Sequence, residues 1–88
     1  MPFDLTLPRL KLSASVAAIE SPNTGKWLFS LSYRFPSNNG GESSRAIFST
    51  EVQAINAALI MFTRAGADQS PAIAQAIALW VTQVTNQL

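Results

Sequence analysis

The sequence predicts an α+β domain, an antiparallel sheet of three to four strands covered on one face by two C-terminal helices. Its apolar residues alternate with polar ones up to Phe48, recur at helical spacing from Thr50 onward, and the two regimes do not interleave. Strong turn signals also separate the alternating segments, as antiparallel neighbours require.

The first strand region covers about 3–20. Phe3, Leu5 and Leu7 oppose Asp4 and Thr6, which is the period of a half-buried strand. Pro8 interrupts the pattern. Beyond it the apolar set is Leu10, Leu12, Ala14, Val16 and Ala18, so the buried parity changes as it would at a bulge or an edge position. Either a short strand leads into a longer one, or only the longer one pairs. Ser21–Lys26 reads as a turn, because Pro22 presets one backbone angle while Asn23 and Gly25 tolerate left-handed conformations. The second strand, about 26–35, puts Trp27, Phe29, Leu31, Tyr33 and Phe35 on one face, opposite Lys26, Leu28, Ser30, Ser32 and Arg34. Pro36–Glu42 reads as a flexible loop too long for a two-residue hairpin, and 43–48 as a returning strand.

The first helix, about 51–65, opens with Thr50 as cap and Gln53 completing a capping-box pattern. Steps of 100° per residue place Val52, Ala54, Ile55, Ala58, Leu59, Met61 and Phe62 on one half, opposite Gln53, Asn56, Thr63 and Arg64. Gly66 is expected to end it as a left-handed cap. Ser70 and Pro71 open the second helix, about 71–87, whose stripe is Ile73, Ile77, Trp80, Val81, Val84 and Leu88, and which carries no charged side chain. No repeat or boundary divides the chain, so 1–88 is expected to be a single domain.

Composition narrows the chemistry. At 88 residues the core is marginal unless a partner subunit adds to it, which makes self-association an expectation. The chain has no cysteine and no histidine, which removes thiolate chemistry, the usual zinc ligands and the commonest general base near neutral pH. No serine has a base partner suggested by spacing, and Asn39, Gly40 and Gly41 lack the Lys-Ser or Lys-Thr pair of a phosphate loop. A non-catalytic protein without cofactor or metal is therefore expected. The absence of a basic leader with an apolar run, and of any apolar stretch of about eighteen residues, leads to the expectation of a soluble, cytoplasmic protein without membrane contact.

Alternation assigns Arg9, Lys11, Lys26, Arg34 and, with them, Arg45 to the sheet face opposite the large apolar residues, together with Ser13, Ser15, Ser30 and Ser32. Such a face suits an anionic partner, although a formal net charge of only +1 equally suits a solvated surface. Ile60 and Leu79 fall on the outer sides of their helices and mark a surface for a helix-mediated homodimer. Trp27, Trp80 and Tyr33 lie on core parity, which favours packing over base stacking.

The order GKWLFSLSYRF, a polar loop, then RAIFSTEVQAINAAL resembles the strand-strand-strand-helix modules that bind DNA through a sheet, such as the arm-binding domains of tyrosine recombinases. The dense Lys/Arg usage of those modules is missing. The double-stranded RNA-binding domain is similar in element order, but its lysines at the helix start are replaced here by Glu51, Val52 and Gln53. Neither resemblance amounts to membership. The expected function is a small protein that binds another protein, or itself, as an inhibitor or accessory factor of the kind phages and mobile elements encode. The alternative is a nucleic-acid-binding module using the positive sheet face.

Overall fold

The computed structural model describes residues 2–88, and in it a four-stranded meander is followed by a helical hairpin. The strands are β1 (Phe3–Leu7), β2 (Leu12–Glu20), β3 (Trp27–Arg34) and β4 (Asn39–Ser43), in spatial order β1-β2-β3-β4 with every neighbour antiparallel. The helices are α1 (Glu51–Ala65) and α2 (Pro71–Gln87). The α+β class and one-sided helical cover are as the apolar periodicity requires.

The parity change at Pro8 marks a hairpin. Pro8–Leu10 forms a single 3₁₀ turn, and Lys11 closes it in the left-handed region at φ 52°, ψ 42°, its N–H donating to the Pro8 carbonyl at 3.1 Å. Reversal there pairs Phe3 with Val16, Leu5 with Ala14 and Leu7 with Leu12, so odd and even residues share the buried face. In the next turn the Ser21 N–H reaches the Lys26 carbonyl at 2.7 Å and Gly25 takes φ 67°.

The region read as a loop and then a strand divides differently. β4 is built from Asn39–Ser43, inside the expected loop, and of the expected strand 43–48 only its first residue belongs to a strand. Ser44 extends the ladder, its N–H donating to the Phe29 carbonyl at 3.0 Å and its Oγ accepting from the Phe29 N–H at 2.8 Å. Register would next set Ala46 against Trp27. Instead Phe48 bridges Trp27, so two extra residues are accommodated by looping out the chain around Arg45–Ile47. Asn and Gly are depleted in strands, which hides β4 from pattern reading. It is held by its ladder and by the Tyr33 ring, which lies over Gly40 where an added Cβ would sit 2.7 Å from the phenol oxygen.

α1 lies across β2 and β3, and α2 lies beside it toward β1. Thr50 Oγ1 caps α1 by accepting the Gln53 N–H at 3.2 Å, while Gln53 Oε1 accepts from Ser49, one residue further back than a capping box requires. Ser70 caps α2 through the Ile73 N–H at 3.3 Å, with Pro71 at the first helical position. Val52 and Leu88, placed in the apolar stripes by periodicity, stay exposed at the first turn of α1 and beyond the end of α2.

The core centres on aromatic contacts. Phe62, fully buried, stacks 6.1 Å from Phe35, tilts 5.9 Å from Tyr33 and meets Trp80 edge-on at 5.6 Å. Trp80 also donates from Nε1 to the Asp4 carbonyl at 3.2 Å, joining α2 to β1. Gly66 departs from expectation, since its φ of −86° and ψ of −5° are right-handed. What glycine provides there is room: a Cβ would run into the terminal methyl of Ile77, Cδ1, which would have to shift within the buried core.

Two stability predictions follow from this packing. Trp80→Ala should cost about 3–5 kcal/mol in denaturant unfolding, whereas Trp80→Phe, which keeps an aromatic ring but loses the N–H donor, should cost about 1 kcal/mol. At a helical backbone angle Gly→Ala would ordinarily stabilise by about 0.4–1 kcal/mol. Gly66→Ala should instead destabilise by about 1–3 kcal/mol, because overpacking against Ile77 outweighs the entropy gain; a higher melting temperature would show that the interhelical contact yields easily.

Candidate functional site: the open face of the sheet

With both helices on one side, the other side of the sheet is uncovered, and the register arranges its outward residues in rows. Thr6, Ser13, Arg34 and Asn39 form the row nearest the β1–β2 and β3–β4 turns. Asp4, Ser15, Ser32 and Gly41 form the next, followed by Ala17, Ser30 and Ser43, and then by the cross-strand pair Ile19 and Leu28. Rows are spaced about 6.6 Å apart, since a strand rises about 3.3 Å per residue. The face therefore changes along its length, from hydroxyls with one guanidinium, through small hydroxyls, to an apolar end.

The expected positive face is distributed otherwise. Among the five basic residues assigned to it, only Arg34 lies within the strand ladder. Arg9 is carried on the 3₁₀ turn and Lys11 at its left-handed close. Lys26 precedes β3 at the opposite end, and Arg45 belongs to the looped-out chain near Phe48. Lys26 and Arg34 are eight residue steps apart along β3, a span of about 26 Å. That is well beyond the screening length of about 8 Å at physiological salt, so the two ends do not act as one electrostatic patch. Alternation missed this because parity records which side a residue faces only while the strand continues, and turns intervene at Pro8 and before Trp27.

Two of the charges do converge. Lys11 and Arg34 both border a surface depression of about 410 Å³ at the turn end of the face, together with Thr6, Ser13, Leu12 and Phe35. A broader hollow of about 610 Å³ continues from it along the sheet, bordered by Asp4, Ser15, Ser32 and Asn39. Asp4 stands alone as the acid in the rows, two strands from Arg34.

On the helical side, Ile60 and Leu79 are 54% and 62% exposed but do not form one patch. Ile60 borders a groove between α1 and α2 with Leu59, Val81 and Thr85. Val81 and Leu79 project about 100° to either side of the buried Trp80, so Leu79 lies on the flank of α2 away from that groove. Trp80, Trp27 and Tyr33 keep their places on the core side, where Tyr33 packs 4.9 Å from Phe35.

Among the described residues, no group of three or more Asp, Glu, His or Cys side chains is placed to hold a metal ion, and no buried side-chain polar atom lacks a hydrogen-bond partner. No described helix is long and apolar enough to cross a membrane. No family model, curated protein or solved structure matches the chain, so its own residues carry the functional reading.

Proposed function

We propose that this is a small non-catalytic binding protein that uses the open face of its sheet to engage a protein partner, as an inhibitor or accessory factor. The observation that carries this reading is the make-up of the rows: short hydroxyl side chains in the middle, the Ile19–Leu28 pair at one end and Arg34, the one cation within the rows, at the other. Serine and threonine lose little rotamer entropy on burial and can donate or accept, which suits a protein surface. A phosphate backbone asks for more charge. With Lys11 and Arg34 as its contacts, a nucleic acid would release about two counterions, which corresponds to only about a tenfold loss of affinity between 50 and 200 mM salt. Dedicated nucleic-acid proteins with 6–10 phosphate contacts lose about 10³–10⁵ over the same range.

The test is capture from nuclease-treated host lysate with the parent and with Ser32→Arg, which sets a long cation in the centre of the face. Surface exchanges of this kind cost within about 0.5 kcal/mol, so the variant should melt like the parent while losing the captured protein. Capture abolished by nuclease would transfer the assignment to the nucleic-acid alternative. A protein retained equally by Ser32→Arg would move recognition off the sheet.

The groove beside Ile60 favours a second reading, a homodimer through the helical layer. The sedimentation outcome expected on that reading is a dimer at micromolar concentration that Ile60→Glu dissociates and Leu79→Glu leaves intact, because only Ile60 borders the groove. A parent that stays monomeric as concentration rises removes it.

A further inference from the structure

The depression between the β1–β2 and β3–β4 turns has a composition that selects a particular kind of contact. Its apolar sides are the exposed rings of Pro8 and Pro36, with Leu12 and Phe35 at its base turning their side chains into the core, and its polar members are the hydroxyls of Thr6 and Ser13 with the two cations Lys11 and Arg34. No carboxylate borders it. Apolar walls with a few convergent polar groups are the usual make-up of a ligand site, and two cations without an acid leave it matched to an anionic head on an apolar stem.

Lys11 supplies an independent observation. Among the described residues it is the single non-glycine with a positive φ, at 52°. A side chain is disfavoured in that region, where glycine sits without penalty. The turn thus holds a lysine at a position that backbone energetics would give to glycine, and strain of this kind points toward function. The side chain so placed borders the depression that Arg34 borders from β3.

We infer that this depression is the anchoring subsite for an acidic segment of the protein partner, taking a glutamate carboxylate between Lys11 and Arg34 while a neighbouring apolar residue packs against the exposed rings of Pro8 and Pro36. The inference rests on the reading of the sheet as a protein-binding face and names the chemistry that face selects. Phosphate-rich polymers fit less well, since the cations are gathered in one apolar-walled hollow and do not form a track along the sheet.

The experiment is amide chemical-shift titration of the labelled protein with a terminally capped peptide of sequence Gly-Leu-Glu-Leu-Gly, its Gln counterpart, inorganic phosphate and a short oligothymidylate. The glutamate peptide should shift the amides of Lys11, Ser13, Arg34 and Phe35 saturably at millimolar concentration, and the Gln peptide should not. Lys11→Gly should weaken the peptide by about tenfold, the effect of one charge-assisted hydrogen bond, while the melting temperature holds or rises. Arg34→Gln should weaken it to a similar degree. No shift with the glutamate peptide, equal shifts with the Gln peptide, or tighter binding of phosphate or oligothymidylate at the same amides would overturn the assignment. Lysate capture separates this from the broader reading. A partner lost in Ser32→Arg but kept in both Lys11→Gly and Arg34→Gln overturns the anchor alone, whereas one kept in all three variants overturns the face as well.

Discussion

The arrangement depends on the contacts of one side chain, Phe62. It is the point at which the sheet, the first helix and the second helix meet, in contact with Phe35 and Tyr33 and at right angles to the ring of Trp80. Aromatic pairs of this kind contribute about 0.5–1.5 kcal/mol each beyond the area they bury. In a domain of 88 residues, where total stability is typically about 5–15 kcal/mol, three such contacts through one ring are a substantial share. The Trp80 hydrogen bond to Asp4 then ties the last helix to the first strand, so the chain closes on itself through the same cluster.

Concentrating the large apolar residues on one side has a direct consequence for the other. Every strand residue that faces the helices is matched by neighbours that face away, and in the middle of the sheet those neighbours are mostly short, as with Ser15, Ala17, Ser30 and Ser32. The open face is consequently dominated by serine with little bulk, and its character is set at the two ends, by Ile19 and Leu28 on one and by Lys11 and Arg34 on the other. On the proposed reading, a protein partner lies close to this surface and obtains its orientation from the difference between the two ends.

Much of the fold was legible from periodicity. β3 alternates over its whole length, and both helices carry stripes whose buried members, from Ala54 to Phe62 and from Ile73 to Val84, are those that 100° spacing selects. β4 was not legible, because Asn39, Gly40 and Gly41 have no alternation and poor strand propensity; their pairing is imposed by β3 and by the ring of Tyr33 above Gly40. Gly66 shows the same limit from another side. Its position after a helix suggested backbone freedom, but what it provides is room for Ile77, a contact made by a residue of the other helix.

The sequence by itself determined the class of fold, the one-sided placement of the helices, the caps at Thr50 and Ser70 and the absence of thiol and imidazole chemistry, because each of these depends on local spacing or on residue type. The tertiary structure alone decided which cations come near one another. Arg9, Lys11, Lys26, Arg34 and Arg45 are equivalent under a rule of alternating parity, yet the 3₁₀ turn, the length of β3 and the loop around Arg45 separate them, and only Lys11 and Arg34 reach a common hollow. The reason is that a strand preserves facing only while its ladder continues, whereas convergence in space is set by where the turns bring separate strands back together.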